Sequence, residues 1–166
     1  KPRNTMNPAI QEQFQKTSTA QLQLAVDAMD GRPEVTDIWI YTSYVGGFVT
    51  AFVSYGVEGH EPVQEFYLDT ALKEPVGSTT EEWQATLGDG ISAEAMKLFY
   101  AYREAGEEHP SRIVVHYDVR KSAMDASFSY NKLDEKTMAP VSIFEKWFEN
   151  ARATGDFSAD ATTIPA

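Results

Sequence analysis

The chain has 166 residues, 42% of them hydrophobic and 12% aromatic, which suits one globular domain with its own core. It has no cysteine, and this excludes disulfides, zinc–thiolate sites and cysteine nucleophiles. With 25 acidic and 14 basic side chains the formal net charge is -11, a field that repels phosphate backbones and anionic lipid and favours a basic partner.

No apolar run approaches the ~20 residues that span a bilayer, and no segment has the pattern of a signal peptide, so the expectation is a cytoplasmic protein without membrane contact. Residues 1–7 and 157–166 read as flexible tails around a single domain over residues 8–156. A helix is expected from Pro8, with Ile10, Phe14, Leu22, Ala25 or Val26, and Met29 mostly at helical spacing; Gly31, Arg32 and Pro33 stop it. Residues 37–45 and 48–57 are rich in β-branched and aromatic side chains and are separated only by Gly46 and Gly47. That pattern predicts a hairpin whose turn needs positive φ at both glycines. A two-residue turn sets Val45 opposite Phe48, Tyr41 opposite Phe52 and Trp39 opposite Ser54. Ile38, Ile40, Val49, Ala51 and Val53 then share one face, and Trp39, Tyr41, Ser43, Thr50, Phe52 and Ser54 the other. The aliphatic face is the expected core.

A third strand is expected over residues 63–69, with Phe66 and Leu68 on one side and Glu65, Tyr67 and Asp69 on the other. Ser78 with Glu81, or Thr79 with Glu82, predicts a capping box for a short helix carrying Trp83 and Leu87. Ser92 predicts the cap of a second, longer helix that ends at Gly106. A second hairpin follows over residues 111–119 and 123–130, with Ile113, Val115, Tyr117 and Val119 in one stripe and Met124, Ala126, Phe128 and Tyr130 in another. His116, Asp118, Asp125, Ser127 and Ser129 point the opposite way. The last helix starts near Pro140, uses Val141, Phe144, Trp147, Phe148 and Ala151, and closes at Gly155. Hairpin-paired strands with helices in blocks predict an α+β fold: one antiparallel sheet of about five strands with helices packed mainly on one face.

The sequence motifs of catalysis do not occur. His60, His109 and His116 lie in separate segments without metal-ligand spacing, no glycine-rich phosphate loop precedes a helix, and no serine sits in a nucleophile elbow. No catalytic residue, metal or cofactor is therefore nominated, and the chain reads as a non-enzyme. What stands out is the second face of the sheet. Trp39, Tyr41, Phe52 and Tyr67 would be aromatic anchors there, and Asp69, Asp118 and Asp125 charge partners for a basic protein. The competing reading is that the last helix, with Trp147 and Phe148, packs over those rings and hides them.

Several segments together resemble the YezG-like (DUF600) immunity proteins. They are Pro110-Ser111 before an alternating strand, the run Phe128-Ser129-Tyr130-Asn131-Lys132-Leu133, and Trp147-Phe148 in the final helix. Ile38-Trp39-Ile40-Tyr41 before a glycine hairpin, a second strand through Phe52 and Tyr55, and the helix over residues 92–105 also match the family's order. The likeness covers residues 37–155 and departs at Asn131, where the family usually has aspartate, and at His109-Pro110, where it often has tryptophan. The resemblance implies an antitoxin that binds and neutralises a cognate basic toxin domain, commonly a nuclease, by occluding its active site or substrate path. The net charge of -11, for its part, argues against nucleic acid or membrane as partner. Two readings compete with the antitoxin: a small hydrolase or ligand-binding domain with a pocket between sheet and helices, hinted at by His116 beside Asp118, and a scaffold that pairs through a sheet edge.

Overall fold

The computed structural model describes residues 6–133 and 138–161. In chain order these form α1 (Pro8–Ala28), β1 (Val35–Val45), β2 (Phe48–Val57) and β3 (Val63–Gln64), then a 3-10 turn (Glu65–Tyr67) running into the short α2 (Leu68–Ala71). After them come α3 (Glu81–Ala105), β4 (Arg112–Asp118), β5 (Ala123–Ser129) and α4 (Pro140–Thr154). The strands make one antiparallel sheet in the order β3-β2-β1-β4-β5, the expected α+β arrangement.

Gly46 and Gly47, at φ 58 and 79, close the first hairpin as a two-residue turn. Its register is the one expected, with Val45 opposite Phe48, Tyr41 opposite Phe52 and Trp39 opposite Ser54. One face of the sheet carries Ile38, Ile40, Ala51, Val53, Ile113 and Val115, and helices α1 and α3 cover it with Phe14, Ala25, Leu87, Ile91 and Leu98. Buried polar side chains join the two helices at backbone carbonyls that the helical ladder leaves with a free lone pair. Gln21 Nε2 donates to Ile91 O at 3.0 Å and Thr17 Oγ1 to Glu94 O at 3.1 Å. Tyr55 and Tyr44 donate their hydroxyls to Ala25 O and Ala95 O, tying the sheet to the same pair of helices.

Two expected elements differ. Residues 81–105 form one helix rather than two, and its cap is Thr80, whose Oγ1 accepts from Trp83 N at 3.2 Å. Gly88 and Gly90 look like a break, but Gly90 serves close packing: a Cβ there would stand 2.7 Å from Leu24 Cδ1 on α1. The third strand ends after two residues instead of continuing to 69. Asp69 turns away from the sheet because its carboxylate accepts from three backbone N–H groups, Val76 N (2.7 Å), Ser78 N (2.9 Å) and Gly77 N (3.1 Å). Ser78, fully buried, accepts from Asp69 N and donates to Phe66 O, so it braces this loop instead of capping a helix.

Among the described helices, α4 is the one that packs on the second face of the sheet. Phe144, Trp147, Phe148 and Ala151 pack onto Trp39, Tyr41 and Val114, with Phe52 half-buried beside them. Residues 157–161, expected as part of a loose tail, extend this layer: Phe157 stacks on Trp39 at 4.1 Å and Ala159 is buried. Residues 1–5 and 162–166 of the expected tails lie outside the described residues, while Asn7 caps α1 by accepting from Ala9 N.

Candidate functional site

Of the nominated aromatic anchors, two are inside. Tyr41 is fully buried, edge-on to Phe144 at 5.0 Å, and its hydroxyl accepts from Arg112 Nε at 3.3 Å. Burial pushes its phenol above the ordinary value, against the pull of the nearby Arg112 guanidinium. Trp39 is sandwiched between His116, with centroids 5.3 Å apart, and Phe157. Phe52 stacks on Phe144 at 4.4 Å. These rings are therefore the core of the α4 layer, the covered alternative raised by the sequence. Tyr67 is different: it is 52% exposed, off the sheet, and stands edge-on to Phe66, itself 43% exposed, at 5.1 Å.

The acids also separate. Asp69 is consumed by its loop, as described. Asp118 accepts from Lys121 N at 3.0 Å and holds the β4–β5 turn. Asp125 lies opposite His116 on β5 with its side chain 83% exposed. His116 is bracketed by carboxylates, with Nε2 2.8 Å from Asp37 Oδ1 and Nδ1 3.9 Å from Asp125 Oδ2. Asp37, not nominated, is brought there because β1 pairs with β4, which sets Trp39 opposite His116. Among the described residues no hydroxyl hydrogen-bonds to His116, so the nucleophile of a Ser-His-Asp arrangement is missing, and the ring clamps β1 to β4.

Two hollows flank α4. One, of about 410 Å³, lies between α4 and residues 159–161. Its best-placed charged groups are committed: Arg112 to Tyr41 and Ala159 O, and Asp160 to Ser129 and Asn131. The other is a groove of about 400 Å³ along the outer margin of β2, between α3 and α4, lined among others by Ala51, Val53, Glu65, Phe66, Asp89 and Phe144. Glu65 enters it from the 3-10 turn and accepts from Val53 N at 3.0 Å, doing with a side chain what a neighbouring strand's carbonyl would do. Burial pushes this carboxyl up to about 7, partly offset by the Val53 hydrogen bond. Glu65 was expected beside Tyr67 on a strand; its position at the strand's broken end makes it the most perturbed carboxyl described.

Among the described residues no cluster of three or more His, Asp or Glu converges as metal ligands, and no helix is long and apolar enough to cross a membrane. Compared with known proteins, the chain matches no family model and no curated protein.

Proposed function

We propose that the chain is an inhibitory binding protein: an immunity protein that holds a basic toxin domain, a nuclease in the simplest case, and blocks its active site or substrate path. One observation supports this most. At the margin of β2 the exposed ring of Phe66 shares a groove with the Glu65 carboxyl, and the exposed ring of Tyr67 stands against Phe66, on a molecule of net charge -11. Large rings that desolvate on contact, set among carboxylates that select lysine and arginine, are the composition of a hot spot for a basic protein. A nuclease is basic where it grips phosphate, so an acidic domain competes for that same surface. Because α4 covers Trp39 and Tyr41, the anchors of the proposal shift to Tyr67 and its neighbour Phe66. The experiment is capture from the lysate of the source cell at low and then high salt, followed by a toxicity assay on the captured protein. The expected result is one basic partner, released by salt, whose toxicity the chain suppresses. Capture of nothing basic at low salt overturns the reading.

A second reading, a small hydrolase or ligand-binding domain, is favoured by one feature: a carboxyl lifted to about 7 inside a groove is the profile of a general base. Chromogenic esters, phosphoesters and glycosides would reveal turnover that Glu65→Gln abolishes; absence of turnover with all of them retires it.

A further inference from the structure

Among the described residues, the outer margin of β2 is a sheet edge left open. β1 pairs with β2 along its whole length, whereas β3 pairs only with Ser54 and Tyr55. In an antiparallel ladder the backbone groups of alternate residues point to opposite sides. Val53 N–H points outward, since it reaches Glu65, so the N–H and C=O of Ala51 and Val49 point outward too. Among the described residues neither N–H has a hydrogen-bond partner. The edge is also unprotected in composition. From Phe48 to Val57 it has no charge and no proline, and Phe48 at its far end is 67% exposed. Natural sheets blunt such edges with charges, prolines or covering elements, because a bare apolar edge pairs with whatever strand it meets.

We infer that the edge of β2 from Val49 to Val53 is a strand-addition site that receives an extended, lysine- or arginine-bearing segment of the protein partner. This rests on the reading of the chain as a binder of basic protein and names how it binds. The space is the one the truncated third strand leaves free. It opens into the groove between α3 and α4, where Gly88 presents no side chain and a Cβ there would meet nothing within 4 Å. Ala51 would exchange both of its backbone bonds with the incoming strand, and Val49 would extend the pairing toward the exposed ring of Phe48. Phe66 and Phe144 offer apolar contact to alternate side chains. Glu65 and Asp89 set the charge of the occupant. They reject a second copy of this chain, whose own edge would bring the same carboxylates and the same net charge of -11, and they accept cations. A cation beside Glu65 would also relieve the cost of its buried charge.

The test is backbone amide hydrogen exchange of the full chain, free and with short peptides alternating lysine with valine or glutamate with valine. In the free chain, Val49 and Ala51 amides should exchange much faster than those of β1. The lysine–valine peptide should slow both by about tenfold or more, and the glutamate–valine peptide should not. Glu65→Gln keeps the acceptor for Val53 N–H and removes the charge, so it should weaken the lysine–valine peptide several-fold, while Glu12→Gln, an exposed carboxyl on α1 outside the groove, should leave it unchanged. Protection of Val49 and Ala51 in the free chain, equal protection by both peptides, or no protection of β2 by the lysine–valine peptide each overturns the strand-addition site. If a basic protein is captured and neutralised while β2 stays unprotected, the inhibitor reading survives and only this site fails. If no basic protein is captured, the inhibitor reading fails by its own test.

Discussion

Glu65 shows how one side chain can end a strand and define a surface. Its Oε1 replaces the next backbone acceptor for Val53 N–H, so β3 can stop at Gln64 without orphaning that donor. The cost is a carboxyl largely withdrawn from water, raised from its ordinary value near 4.5 to about 7. The sign of the linkage follows. The native state binds this proton more tightly than the unfolded chain, so the contribution is fully present below about pH 4.5 and lost as pH rises through about 7. Glu65→Gln should match the wild type near pH 5 and exceed it near pH 8 by roughly 2 kcal/mol, less than the full shift because the groove admits water. Urea unfolding at the two pH values measures the difference, and parallel curves would show that Glu65 is as solvated as a surface carboxylate. Asp69 acts through geometry instead. Three backbone donors from 76–78 converge on it, and Asp69→Ala strands all three, at a cost of about 3 kcal/mol. Asp69→Asn, which keeps one carbonyl oxygen, should lose less in the same urea titration.

At the scale of elements, α3 contains a paired comparison. Gly88 and Gly90 are both mid-helix, where glycine costs about 1 kcal/mol relative to alanine. Gly88→Ala meets open space and should stabilise by about that amount. Gly90→Ala pushes on Leu24 Cδ1, and displacing that side chain offsets the gain, so it should trail Gly88→Ala by about 1 kcal/mol. Equal melting temperatures for the two variants would mean that α1 and α3 are not held at this spacing. The same helix marks the limit of sequence reading. Both hairpins were legible to within two residues at their ends, and the first in its register, because alternation and a Gly-Gly or short polar turn are local signals, and Pro140 and Gly155 bounded α4 for the same reason. The unbroken α3 and the shortened β3 were not, because each is decided by contacts that alternation and turn residues do not encode: Leu24 against Gly90 across two helices, and a loop seven to nine residues on folding its 76–78 backbone onto Asp69. The aromatic face illustrates both outcomes. Its membership followed from the hairpin register, but its burial depended on where α4 landed, and the Asp37–His116 contact depended on β1 meeting β4 across 79 positions.

For the whole molecule, the surplus of acid decides how salt acts on folding and on binding. Several of its cations are spent on neighbours along their own helices, as in Lys16–Glu12, Lys97–Glu94 and Arg152–Glu149, and such exposed pairs contribute little to stability. The remaining acids repel one another in the folded state, where they are closer together than in the unfolded chain. Raising ionic strength from a few millimolar to about 0.15 M shortens the screening length to about 8 Å, so the free chain should melt at a higher temperature. The same screening should slow association with a basic partner and weaken the complex. Stability and affinity therefore move in opposite directions with salt, and calorimetry on the free chain alongside binding kinetics on the complex measures both. If affinity instead holds constant while the melting temperature rises, the contact is carried by the exposed rings of Phe48, Phe66 and Tyr67 and not by charge. Phe66→Ala would then cost more affinity than Glu65→Gln, whereas a salt-sensitive complex whose loss concentrates in the association rate would put the carboxylates first.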